Sequence, residues 1–180
     1  MAISLSMAES SIREPKRANR FILKFDSIPG GGEEELAISI LSASRPTLGL
    51  GNTAVNRMNE QFKFATNPTW EDISLTFYDF DKGKDSAAQI LWKWARSVYD
   101  PVTGAMGFAG QYKTNATLVV LSPDGTITET WDLFGCYPSN INYNEVNYSN
   151  YDALQVTVTL TYDYAILQED SDSASGNSPA

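Results

Sequence analysis

The chain has 180 residues, enough for one domain with a hydrophobic core and short of two comfortable ones. Its 22 acidic and 13 basic residues give a formal net charge of -9, which disfavours grip on nucleic acid phosphates or anionic membrane surfaces. With no histidine and a single cysteine, Cys136, it has no Ser-His-Asp or Cys-His arrangement, no histidine metal site and no intrachain disulfide.

Residues 1–19 are polar, with scattered charge and no clear period, and read as an N-terminal arm. The domain proper is expected over residues 20–167. It opens with Phe21, Leu23 and Phe25 alternating with Ile22, Lys24 and Asp26, the period of two of a strand. Pro29-Gly30-Gly31-Gly32 breaks that strand, Glu33-Glu34-Glu35 reads as a solvated turn, and a second strand is expected from Leu36 to Ser44. Residues 45–60 hold Pro46, Gly49, Gly51 and several Asn with few large apolar residues, the composition of a long loop without secondary structure of its own. Strands are expected at Gln61–Thr66 and Glu71–Phe80, the latter with Ile73, Leu75 and Phe77 on one face and Ser74, Thr76 and Tyr78 on the other.

Ser86–Tyr99 carries the helical stripe Ala87, Leu91, Trp94, Ala95 and Val98, with Ser86 and Gln89 as a capping box. Trp92 lies off the stripe and either covers the edge of the core, the favoured reading, or meets a neighbouring molecule. The glycine-rich stretch Asp100–Lys113 reads as an irregular connection. Thr114–Leu121 and Ile127–Phe134 form a hairpin around Ser122-Pro123-Asp124-Gly125-Thr126. Gly135–Ser149 is rich in Asn and Tyr, with a short strand expected near Asn144–Tyr148. In the last strand, Ala153–Tyr164, apolar Leu154, Val156, Val158 and Leu160 alternate with Gln155, Thr157, Thr159, Thr161 and Asp163. The acidic, Ser-rich residues 168–180 are too polar to bury themselves and are expected to be disordered. These elements predict a mainly β fold, an antiparallel sandwich or barrel-like sheet pair with one flanking α-helix.

Little in the chain points to chemistry. No phosphate-binding loop, dinucleotide fingerprint, zinc spacing or nucleophile elbow occurs, so no catalytic residue, metal or cofactor is expected. Asp79, Asp81, Asp132 and Asp163 are available as carboxylates for a hydrolase, but no spacing singles out a pair. Tyr137, Tyr143, Tyr148 and Tyr151 suit either packing or, as a monomeric glycan-binding sandwich, the stacking of sugars; packing is favoured. No run of about 18 apolar residues or signal-like start suggests a membrane span or secretion.

Three stretches carry a resemblance that spans Asn19–Tyr164. The first is Asn19-Arg20-Phe21 at the opening strand. The second is Thr69-Trp70-Glu71-Asp72-Ile73-Ser74-Leu75-Thr76-Phe77-Tyr78 before a helix containing Trp92-Lys93-Trp94. The third and most specific is Leu133-Phe134-Gly135-Cys136-Tyr137-Pro138-Ser139-Asn140-Ile141, followed by Leu154–Tyr164. Together they resemble the tail tube protein family of T-even, contractile-tailed phages and related injection particles. The acidic tail and the Gly104–Gly110 stretch depart from that pattern, and the residues do not separate a phage tail from an injection particle.

The resemblance implies a structural, non-enzymatic subunit whose hexameric rings share a continuous inner β-barrel and stack into a tube. It also implies partners: further copies of the chain, a sheath protein, a baseplate initiator and a tail terminator, with tape-measure protein and DNA in the lumen. The setting implied is a virion tail tube assembled in the host cytoplasm. Within that picture Ser74, Thr76, Thr157, Thr159, Thr161 and Asp163 are expected to face the lumen. Pro46, Leu48, Leu50, Asn52, Val55, Arg57 and Met58 are expected to make contacts between rings, and the helix to face the sheath.

Overall fold

The computed structural model describes residues 15–168. Residues 1–14 of the expected arm and the tail beyond Gln168 lie outside them. Strand β1 (Phe21–Phe25) buries Leu23 and Phe25 and turns Ile22 and Lys24 outward. The next segment corrects the sequence reading: Glu33–Ser39 is a helix, α1, and only Ile40–Ala43 is a strand, β2. Three glutamates in the first turn lie at the positive end of the helix dipole. The Glu33 carboxylate accepts the Ile28 N–H at 2.6 Å, a bond that holds its pKa below the ordinary carboxylate range. Leu36 and Ser39 then face the core one turn apart.

A second correction concerns residues 45–60, which are not an unstructured loop. Thr47–Arg57 is strand β3 and Glu60–Glu71 is strand β4, paired antiparallel from Thr47↔Glu71 to Arg57↔Glu60 around the two-residue turn Met58-Asn59. Among the described residues neither strand joins another sheet. With no core to bury against, β3 lacks the apolar alternation that marks a strand in sequence.

Strand β5 (Ile73–Tyr78) leads through a 3₁₀ turn (Gly83–Asp85) to helix α2 (Ala87–Val98), where the Gln89 N–H donates to the Ser86 hydroxyl at 3.4 Å. The stretch 100–113 is irregular apart from the one-turn helix α3 (Ala109–Tyr112). Strand β6 (Thr114–Leu121) pairs with β7 (Ile127–Asn142) across a turn in which Gly125, at φ 88°, supplies the left-handed position. Asn144–Tyr148 is not a strand. There Asn142, Asn147 and Asn150 each accept, through the side-chain oxygen, the N–H two residues on (2.9–3.0 Å), capturing donors that a ladder would need. The final strand is also divided, into β8 (Gln155–Thr161) and β9 (Tyr164–Leu167), with a corner at Tyr162-Asp163.

The sheet order is β1-β6-β7-β8-β5-β2, with β9 also on β7. β7 is the hinge of this arrangement. Its first half pairs with β6 and β9, its second half with β8. From Trp131↔Leu167 through Phe134↔Tyr164 to Tyr137↔Thr161 the β7 register against β9 and β8 is unbroken, so one bent ladder belongs to both halves of the sandwich. The bend falls at Gly135, whose φ of 68° favours glycine and where a Cβ would run into the Asp163 carboxylate.

Between the halves lie Leu23, Phe25, Ala116, Leu118 and Leu133 from one side and Ile73, Leu75, Phe77, Val156, Val158 and Leu160 from the other. Helix α2 closes one opening with Ala87, Ile90, Leu91 and Trp94. Trp94 is fully buried, packs edge-on against Phe25 at 5.5 Å and donates its indole N–H to the Tyr112 carbonyl at 2.8 Å. Each such side chain contributes about 1.5–3 kcal/mol through burial. Trp92, favoured above as edge-of-core, is instead 45% exposed.

Candidate functional site

The alternation in β5 and β8 that buries Leu75 and Val158 necessarily turns Ser74, Thr76, Thr157, Thr159 and Thr161 to the opposite face. Antiparallel pairing assembles them into rows. One row runs Ser42, Thr76, Thr157, Asn142 across β2, β5, β8 and β7; the next runs Ser74, Thr159, Asn140. Ser44 hydrogen-bonds both backbone groups of Ser74, and Ser139 donates to the Thr159 carbonyl at 3.1 Å. These rows contain hydroxyls and amides and no ionisable group. Along these rows the surface is polar and carries no fixed charge. Ser42, Asn140 and Asn142 were not among the residues expected here. They are set by the pairing of distant strands, which no local pattern reveals.

Asp163 lies at the corner beyond Thr161, and Lys113 bonds both its carboxylate oxygens at 2.7 and 2.8 Å. That bond, ahead of the cost of burial, raises the Lys113 pKa. Asp163, expected to face the lumen, is therefore charge-paired. Above it Tyr137 packs edge-on against Tyr112 at 5.5 Å.

Among the described residues this half of the sandwich ends in two unpaired strand edges: β2 on one side and, past Cys136, the second half of β7 on the other. Exposed edges present open backbone donors and acceptors to another chain.

The hairpin β3–β4 is the other unusual surface. Leu48, Leu50, Val55 and Met58 on or beside β3, and Phe62 and Phe64 on β4, are all exposed, Met58 at 98% and Phe64 at 59%. Val55 stands opposite Phe62 and Thr53 opposite Phe64, so one face of the ribbon carries an apolar strip. Asn52 and Arg57 are also on β3, and half-buried Pro46 precedes it. The contribution of Phe62 and Phe64 was missed because β4 was read as part of the body. An isolated two-stranded ribbon is marginal in water, and exposed aromatics on it make it more so.

The chemistry set aside from the sequence finds no assembly here. Asp79 accepts the Ala88 N–H at the start of α2, and Asp132 accepts the Thr117 hydroxyl and the Gln168 amide. Asp81 is exposed. Burial pushes the Cys136 thiol up to about 12, leaving it un-ionised at neutral pH. Among the described residues no group of three or more potential ligands is placed to hold a metal. Tyr148 and Tyr151 are fully exposed, and among the described residues no ring contact joins any two of Tyr137, Tyr143, Tyr148 and Tyr151. They form no common platform for a sugar.

The fold is shared with tube-end and tube proteins. The anti-feeding prophage cap, a tube-terminating cap, superposes with a TM-score of 0.70 at 15% identity, covering 93% of this chain and 100% of that one. A chain of the sheath/tube terminator of PVC, an extracellular contractile injection system, gives 0.68 at 19% identity, covering 88% and 100%. One from the PVC sheath-tube complex gives 0.65 at 19% identity, covering 93% and 99%. At these identities the likeness shows the fold alone. No curated protein sequence matches the chain. The family model of the T4-like virus tail tube protein gp19, however, matches residues 17–166, and the chain therefore belongs to this family of structural tail tube proteins.

Proposed function

We propose that the chain forms hexameric rings that stack into a hollow conduit through which phage DNA or an effector cargo passes. The observation that carries this reading is the neutral polar face flanked by two open strand edges. Joining β2 of one copy to the β7 edge of the next removes both edges and makes the polar faces continuous around a bore. Ser74, Thr76, Thr157, Thr159 and Thr161 then line it, with Asp163 and Lys113 as a neutralised pair near its rim. A lining without fixed positive charge gives DNA phosphates nothing to bind. The contact is heterologous, the type that closes rings and extends filaments.

The hairpin, with Pro46 to Met58 along and beside β3 and Phe62 and Phe64 on β4, serves as the contact between rings, where its apolar strip gains cover. Helix α2 and the exposed Trp92 face a contractile sheath. A baseplate initiator and a terminator close the ends, and tape-measure protein precedes DNA in the lumen, within a phage tail or injection particle assembled in the host cytoplasm.

Negative-stain microscopy of the purified chain over a range of concentration and salt tests the proposal. Rings or hollow tubes of uniform diameter are the expected result. Particles that stay monomeric throughout, including with sheath and baseplate proteins added, would overturn it.

A further inference from the structure

Two surfaces rich in exposed apolar side chains stand at opposite ends of one sheet. Strand β5 pairs with β8 from Ile73↔Leu160 to Tyr78↔Gln155, and β8 pairs with β7 as far as Thr157↔Asn142. At the Ile73 end β2 runs on towards β3 and β4 returns into β5, so the hairpin departs there. At the Tyr78 end residues 143–154 join β7 to β8.

Apart from half-buried Gly49 and Trp70, every residue of β3 and β4 is exposed. A strand of 11 residues spans about 36 Å, which carries Val55, Phe62 and Phe64 away from the base of the ribbon. The 143–154 connection, in contrast, is braced. Besides its three Asn side-chain turns, the Asn144 amide donates to the Gln155 carbonyl at 2.8 Å and the Asn150 N–H to the Asn147 carbonyl at 3.1 Å. So fixed, it holds Val146, Tyr148 and Tyr151 in solvent, with exposed Phe80 at the same end of the sheet. Val146, Asn147 and Tyr148 line a concavity of ≈ 270 Å³, room for one aromatic side chain. The charges are complementary as well. Between Leu48 and Trp70 the ribbon carries Arg57 and Lys63 against Glu60, whereas residues 143–154 carry Glu145 and Asp152 and no cation.

We infer that the 143–154 loop is the receptor for the hairpin of a second copy in the next ring. The strip of Val55, Phe62 and Phe64 packs against Val146, Tyr148 and Tyr151, and the ribbon's net positive charge lies against Glu145 and Asp152. The inference rests on the ring-and-tube reading and names the surface that its hairpin meets. Because hairpin and receptor are different surfaces at opposite ends, every stack keeps one end of each kind and grows head to tail.

Rings of Val55→Ser/Phe64→Ser and rings of Tyr148→Ser/Tyr151→Ser, prepared separately and imaged by negative stain alone and mixed, provide the test. Each alone is expected to give single discs. The mixture is expected to give discs joined in twos and no longer stacks, because only one intact loop meets one intact hairpin. Charge exchange tests direct contact: Arg57→Glu/Lys63→Glu is expected to raise the protein concentration needed for tubes at least about tenfold at low salt. Adding Glu145→Lys/Asp152→Lys to that chain is expected to restore it. Ring formation shows that each variant has folded, and the charge exchange decides the matter if the loop variant forms none. Tubes from the loop variant, a mixture that stays as single discs, or no restoration by charge exchange would overturn the inference while leaving rings intact. An unaltered chain that forms no rings would overturn the ring reading itself, and the inference with it.

Discussion

Gly135 is the residue on which the two halves of the sandwich depend. Its positive φ and the Asp163 carboxylate, which occupies the place a Cβ would take, leave no room for a side chain. Gly135→Ala is expected to cost roughly 1–3 kcal/mol, read as a lower urea midpoint at unchanged slope. Glu129 gives a pH signature. Its hydrogen bond from Lys16, then that from Trp131, lower its pKa in the folded state. A carboxylate with a depressed folded pKa contributes stability that is complete above its unfolded value, about 4.3, and is lost as pH falls through the folded value. Glu129→Gln should therefore be less stable than the unaltered chain at pH 7, and the gap should narrow on acidification below about pH 4. A gap independent of pH in urea titrations would show that the charge of Glu129 contributes nothing.

At the scale of elements, the hairpin separates folding from assembly. Its apolar side chains touch solvent, so Val55→Ser with Phe64→Ser should change the stability of the isolated chain by no more than about 0.5 kcal/mol. The same double variant should yield rings that fail to stack, seen as discs in place of tubes under the microscope. Loss of the monomer fold in circular dichroism would instead place the strip against the body of the protein. The hairpin is also where sequence reading failed most clearly. Gly49, Gly51 and the asparagines have poor strand propensity, and what makes this segment a strand is its ladder with residues 60–71. Helix α1 failed for a related reason. Its seven residues offer a single turn of buried periodicity, Leu36 to Ser39, which local pattern cannot tell from a short strand.

For the whole molecule, the central prediction concerns the bore. Thr157→Arg with Thr159→Arg adds two positive charges to the polar face while leaving Val156, Val158 and Leu160 in the core. Tubes should still assemble, and they should retain an oligonucleotide on co-sedimentation at least about tenfold more strongly at low than at high salt. Tubes that retain no more than the unaltered protein would move this face away from the bore.

What the sequence determined by itself was the part of the protein governed by local periodicity and by elimination. Leu75 and Thr76, or Val158 and Thr159, declare their opposite faces because adjacent strand residues must point apart. Trp94 and Leu91 mark the buried side of α2 in the same way. The absence of histidine removed much of enzyme chemistry, and the run Leu133–Ile141 with Leu154–Tyr164 carried the family. Tertiary structure alone decided how those faces combine. Thr157 meets Asn142, and Asp163 meets Lys113, only because β7 bends at Gly135 and changes partners midway. Pairing between residues far apart in the chain is set by the closure of the whole core, and no segment carries that information alone.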